Sequence, residues 1–333
     1  MTKFRDELLD FDFLVKNVRD IASQKSPRRP AGTLVYMSSS VSDLGAIGFA
    51  FAGFTCWVLA DSTIKLVGQS GLPPYEMVAF LGLFMAMFLG AWGLWRRDTQ
   101  ALRPRSLKRQ IGRACLDMAN NVCVVIALRH LTLTLFYILV FTAPMVIALL
   151  SALFLREGLP WRKGLAIVAG FSGVVIAVHP WGSARQGDFV GFAACMICVA
   201  CFSVNMVWSR VLTRTEPPES LAFFSGLVTA VVGLVLMLFH AEPLTVPQLA
   251  GLFAMGLFCA LGTLCFYIAV KHTSAANVSQ YHYTQLITGT LISYLVWHDK
   301  PGFFVLAGGA LILASGLYIA VAAREQVPLT EGN

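Results

Sequence analysis

Charge is what this sequence has least of. Lys, Arg, Asp and Glu make up 13% of its 333 residues, about half the share found in a soluble domain. With 57% hydrophobic residues gathered into long runs and a mean hydropathy of +0.70, a water-soluble fold is excluded, because that much apolar surface cannot be kept from water. Histidine is also scarce. Of six histidines only His282 falls deep within an apolar run, which leaves no His-rich metal cluster and no nucleophile with its base, and so argues against an intramembrane enzyme. A phosphate-binding glycine loop is missing, which excludes a nucleotide-driven pump. The eight cysteines lie within apolar runs. Even Cys195, Cys198 and Cys201, at metal-like spacing, read as helix-packing residues rather than ligands. No metal and no cofactor is implied.

What is present is a series of apolar segments, each about 20 residues long, the length a helix needs to cross the hydrocarbon of a bilayer. Ten are predicted: 45–67, 75–95, 110–129, 132–155, 161–179, 188–210, 220–240, 247–270, 275–297 and 302–323. Pro73-Pro74, Pro160, Pro180 and Pro217-Pro218 mark the turns between them. The expected fold is all-α and integral to the membrane. Residues 1–44 are polar and lack the apolar core of a signal peptide. They are expected to form a cytoplasmic tail, in which Phe4, Leu8, Phe11, Val15 and Val18 fall at the spacing of an amphipathic surface helix. Residues 324–333 form a second tail.

Basic residues orient the chain. With the N-terminus inside, 21 of the 25 Lys and Arg residues fall on the cytoplasmic side, leaving Lys65, Arg129, Arg185 and Lys300 outside. That bias predicts cytoplasmic N- and C-termini in the plasma membrane. It also accounts for the net charge of +7 without a nucleic-acid partner. The basic stretch Arg96 to Arg113 reads here as a topology determinant.

The two halves of the chain repeat one another. At a separation of 144, Asp61 falls on Asn205, Pro73-Pro74 on Pro217-Pro218 and Gly82 on Gly226; at 142, Arg129-His130 falls on Lys271-His272, Thr142 on Thr284 and Glu157 on Asp299. Each copy, 45–179 and 188–323, holds five predicted spans. An odd number turns the second copy upside down relative to the first, and such inverted repeats build secondary transporters with a substrate site at the repeat interface.

Polar side chains within the spans are the candidate site residues, since an ionisable group in lipid is costly. Asp61 stands in the first span, either paired with Lys65 four residues on or lining a site opposite its mirror Asn205. Asp117, Asn120 and Asn121 crowd the third span, either as interhelical hydrogen-bond partners or as site residues. Asp61 and Asp117 are the candidate carriers of a coupling proton. The fourth span contributes Tyr137 and Thr142, with Pro144 as a candidate hinge. The ninth is the most polar, with Asn277, Gln280, Tyr281 and Gln285, and three of these form a stripe at four-residue spacing. Trp57, Trp208 and Tyr267 could stack on a planar or cationic substrate, although tryptophans also populate membrane interfaces.

The segment from Arg129-His130 to Leu153-Phe154-Leu155-Arg156-Glu157, followed by Gly164, Gly170 and Gly173, resembles the EamA repeat of the drug/metabolite transporter superfamily. The second copy, ending in Trp297-His298-Asp299 with Gly308, Gly309 and Gly316, matches less closely because Asp stands where the motif has Glu. The resemblance covers about 45–323. It implies ten transmembrane helices in two inverted five-helix EamA-like repeats, and similarity to bacterial permeases for amino acids, nucleoside-like metabolites or S-adenosylmethionine. The expected function is secondary transport of a small polar or amphipathic organic metabolite. The alternative class is a non-transporting membrane sensor or interaction protein. Membrane lipid is the one other partner implied, and monomer and homodimer are not distinguished.

Overall fold

A computed structural model describes residues 43–154, 160–179, 189–213, 215–238, 242–272, 278 and 282–324. The tail residues Phe4 to Val18, with Glu157, Asn277, Gln280 and Tyr281, lie outside the described residues. Among those described there is no strand. The helices are α1 (Asp43–Gly68), α2 (Pro74–Trp95), α3 (Leu107–His130), α4 (Leu133–Val140), α5 (Ala143–Phe154), α6 (Trp161–Val178), α7 (Phe189–Leu212), α8 (Pro218–Met237), α9 (Val246–His272), α10 (Tyr283–Trp297) and α11 (Phe303–Arg324), with a short 3-10 turn at Thr99–Leu102. Seven are long and apolar enough to cross a membrane: α1, α2, α3, α6, α7, α8 and α9. Leu133–Ile147 and Phe303–Ile319 are shorter apolar stretches.

Local chemistry sets several of these ends. Pro74 and Pro218 occupy the first turn of α2 and α8, where a missing N–H costs nothing and the fixed φ suits the helix. The predicted span 132–155 is not one helix. It breaks at Phe141-Thr142, where Thr142 N–H and Oγ–H both donate to Leu139 O, at 3.0 and 2.8 Å. Pro144, in the first turn of α5, cannot supply the N–H that would continue the ladder across the break. Helix α10 ends at His298 in the left-handed region, φ 54°, and this turns the chain so that Asp299 N bonds back to Ser293 O at 3.3 Å.

The halves of the chain interleave rather than forming two separate bundles. The most extensive helix pairings are α1 with α9, α2 with α8, α6 with α11 and α3 with α7, each joining a helix before residue 180 to one after 188. Close approach between α2 and α8 depends on glycine. A Cβ on Gly82 would stand 2.2 Å from Ala230 N, and a Cβ on Gly226 2.8 Å from Ala86 N. These are mirror contacts, since 82 and 226, like 86 and 230, are separated by 144. Small residues let helix backbones pack closely where lipid provides no hydrophobic drive for association. Leu94, Leu165, Val168, Ile287 and Leu295 point outward and are exposed, as suits a surface facing lipid.

Candidate functional site

A cavity of about 110 Å³ lies at the centre of the bundle, walled by α1, α2, α3, α4, α7, α8, α9 and the start of α10. It is well below the roughly 300–1,000 Å³ of sites for drug-sized ligands. In this conformation it suits a small molecule or the small end of a larger one. Of the predicted site residues, Asp61, Asp117, Asn120 and Asn121 line it from α1 and α3. Tyr137, Asn205, Tyr267 and Gln285 line it from α4, α7, α9 and α10. Two others stand away from it. Thr142 is fully buried at the α4–α5 break, its hydroxyl used on Leu139 O. Trp208 is buried against Gly112 of α3, whose missing Cβ would stand 3.0 Å from the indole, so it packs helix against helix.

The two carboxylates on the wall have different surroundings. Asp117 is the hub of a cluster in which Arg113 Nη1 donates to Oδ2 at 2.8 Å, and Asn205 Nδ2 and Ser225 Oγ donate at short range. Tyr267 O–H stands 3.3 Å from the same Oδ2. Arg113 is 0% exposed. Its Nη1 also donates to Tyr267 Oη, and its Nη2 to Leu221 O at 2.6 Å and Ser225 Oγ at 2.7 Å. Four helices, α3, α7, α8 and α9, therefore meet on one buried ion pair. Glu216 steadies the start of α3 by accepting from Arg105 N, Ser106 N and Gln110 Nε2 at 2.8, 2.8 and 3.2 Å. Such a pair holds together only when hydrogen bonds offset the cost of desolvating both ions, and here both terminal nitrogens of Arg113 are used, while its Nε has no partner among the described residues.

Sequence reasoning missed Arg113 by grouping it with the basic loop. It stands almost two turns inside α3 and faces protein, not water. The available signal was its i, i+4 spacing to Asp117 within a long apolar run, together with Ser225 beside Gly226 on the facing helix.

Asp61 has one donor among the described residues, Tyr137 O–H to Oδ2 at 2.8 Å. The alternative pairing of Asp61 with Lys65 does not form. Lys65 Nζ instead donates to Leu131 O at 3.1 Å, lies 3.8 Å from Asp299 Oδ2 and stands over the Trp297 ring at 5.1 Å. Ser293 Oγ holds that carboxylate at 3.0 Å. Lys65 is thus drawn to the far end of α10, and Asp61 is left with no Lys or Arg within ion-pair distance among the described residues. Glycine also sets Tyr137: a Cβ on Gly289 of α10 would stand 2.3 Å from its ring.

One turn before Asp61, Trp57 carries the aromatic part of the wall. Its ring centroid is 5.1 Å from Phe266 and 6.4 Å from Phe202, and its Nε1–H donates to Thr263 Oγ1 at 3.3 Å. His282 faces the same cavity, packed 5.0, 5.2 and 5.6 Å from the rings of Phe54, Phe141 and Phe202. Gln285 Nε2 donates to Phe54 O at 3.2 Å, fastening α10 to α1. No group of three or more metal-ligating side chains occurs among the described residues.

Comparison with known proteins gives a consistent result. The model of the EamA-like transporter family matches twice, over residues 44–179 and 189–321. The S-adenosylmethionine uptake transporter of Rickettsia bellii is 24% identical over 188 residues, 56% of this chain and 62% of that protein. The chain thus spans less than two thirds of that relative's length. The riboflavin transporter of Rhizobium johnstonii is 26% identical over 299 residues, 86% of this chain and 94% of the relative. The pseudopaline exporter of Pseudomonas aeruginosa is 24% identical over 273 residues, 81% and 94% of the two chains. A solved crystal structure superposes with a TM-score of 0.60 at 20% identity, covering 84% of this chain and 99% of that one, a likeness of fold.

Proposed function

Because this chain belongs to the EamA-like transporter family, a family of transporters rather than enzymes, we propose that it is a secondary transporter for a small polar or amphipathic organic metabolite. It works by alternating access across the plasma membrane, driven by an ion gradient or by exchange. The observation that carries this function is the central cavity, bounded by helices from both halves of the chain and lined by two half-buried carboxylates. Organic metabolites are also the cargoes in the names of its relatives.

The architecture that goes with this function is ten spans in two inverted five-helix repeats, at 45–179 and 188–323, with both termini cytoplasmic. The double family match supports it, as do the mirrored glycine contacts of α2 and α8 and the one-sided distribution of Lys and Arg. In that orientation Lys65 and Asp299 join the halves at the outer end, and Arg113, Asp117, Ser225 and Tyr267 join them at the inner end. Opening either end breaks one of these sets. Arg113 neutralises Asp117, so a proton-coupled cycle assigns the proton to Asp61.

Counterflow in proteoliposomes, against a panel of amino acids, nucleosides, adenosyl compounds, organic cations and carboxylates, tests the function. At least one labelled solute should exchange through wild-type protein and not through Asp61→Asn. Absence of exchange or gradient-driven flux across the whole panel would overturn it.

A further inference from the structure

Among the described residues, the two carboxylates that line the cavity differ in countercharge, and only one of them has a basic partner. Arg113 is matched by Asp117, and Lys65 by Asp299. Asp61 has neither a Lys nor an Arg within ion-pair distance, only the hydroxyl of Tyr137. A carboxylate in a protein interior is costly without a positive partner, and this one opens onto a cavity rather than onto packed side chains. The adjoining wall is aromatic: Trp57, on the same face of α1 one turn away, with Phe266 and Phe202 against it. The Thr263 hydroxyl accepts from the indole N–H and fixes the ring.

From this geometry we infer that the cavity selects a small organic monocation carrying a flat ring, with the cationic centre on Asp61 and the ring against Trp57, Phe202 and Phe266, an assignment that rests on the transport role proposed above. The chemistry is specific on both counts. An ammonium or sulfonium centre supplies the countercharge that Asp61 lacks, and the negative faces of the rings favour the same charge. An anion would meet Asp61 directly. The nearest source of compensation, Arg113, already has both terminal nitrogens engaged by Asp117, Tyr267, Ser225 and Leu221 O. A neutral ring gains the wall and not the charge.

Three indoles of similar size separate these cases: tryptamine as the cation, indole-3-methanol as the neutral form and indole-3-acetate as the anion. Each is titrated into the purified full chain in detergent, and unfolding is followed by the reaction of newly exposed cysteines with a thiol dye. Tryptamine should stabilise the protein and bind about tenfold more tightly than either analogue. Asp61→Asn should bring tryptamine down to the level of the neutral compound, whereas Asp61→Glu keeps the preference. Equal or better binding of the neutral compound or the anion by wild-type protein would overturn the inference, as would binding of none of the three or a cation preference that survives Asp61→Asn. The transport role is judged separately. Exchange of an anionic metabolite in proteoliposomes would sink the substrate class and leave transport standing, while Asp61-dependent cation binding without flux of any solute would do the reverse.

Discussion

Two carboxylates, Asp117 and Asp61, face one cavity from helices α3 and α1, and they differ in what has been built around them. Asp117 receives a guanidinium, an amide and a hydroxyl, with a phenol nearby. Asp61 receives one phenol. The repeat makes the contrast sharper. Position 205 mirrors 61 and carries Asn, position 259 mirrors 117 and carries Cys, and position 255 mirrors 113 and carries Met. One mirrored site has been filled with a self-sufficient polar cluster, and the other keeps a carboxylate with unused capacity. A satisfied ion pair specifies how helices meet; an unsatisfied one is available to a ligand.

Several changes would break or sharpen that contrast. The largest effect is expected from Arg113→Ala, which leaves the half-buried Asp117 without its cation. Removing one partner of a buried pair costs roughly 3–5 kcal/mol, so folded, monodisperse protein should be lost on size-exclusion chromatography. Combining Arg113→Met with Asp117→Leu should restore much of the thermal stability, because no buried charge is then left over. Asp61→Asn is expected to behave in the opposite way. Its unfolding midpoint should move by less than the equivalent of about 1 kcal/mol, since the amide oxygen still accepts from Tyr137. Counterflow should nevertheless fall at least to the level of empty liposomes. A strong destabilisation by this change, with flux retained in the surviving protein, would erase the distinction between the two carboxylates.

Smaller effects probe how Asp61 is held. Gly289→Ala forces a methyl into the Tyr137 ring, and overpacking of this kind costs about 1–3 kcal/mol. Flux should drop partially, with recovery when Tyr137→Leu makes room only if the ring, rather than its hydroxyl, is the obstacle. The smallest effect is expected at Lys65–Asp299, where Asp299 is 29% exposed and the ions are 3.8 Å apart. Partly solvated pairs contribute roughly 0–1 kcal/mol, so Asp299→Asn should shift the midpoint only slightly. Exchange rates should rise if this pair restrains opening of that end.

Much of the fold was legible in the sequence because hydropathy is a sum over local residues. The helices of the bundle lie within a few residues of the predicted spans, as with α2 at Pro74–Trp95 against 75–95 and α6 at Trp161–Val178 against 161–179. The exceptions are 132–155, where the sequence shows the proline but not the helix break ahead of it, and 275–297, of which α10 accounts for Tyr283–Trp297 among the described residues. Several cavity residues were also legible, because a polar side chain in an apolar run is conspicuous wherever it points. Their partners were not. Trp208 was as conspicuous as Trp57, yet it packs on Gly112 while Trp57 reaches the cavity.

The sequence by itself determined that this is a membrane protein, where its apolar segments lie and which residues there carry charge. Only the tertiary structure decided who pairs with whom. Asp61–Lys65 and Arg113–Asp117 have the same four-residue spacing, and on an isolated helix either is an acceptable ion pair. In the bundle, Arg113 turns to its neighbour because Ser225, Tyr267 and Leu221 O complete its coordination. Lys65 turns away because Leu131 O, Asp299 and Trp297 offer more. The choice rests on groups brought by other helices from far along the chain, and helix-to-helix geometry of that kind is not encoded in any local stretch.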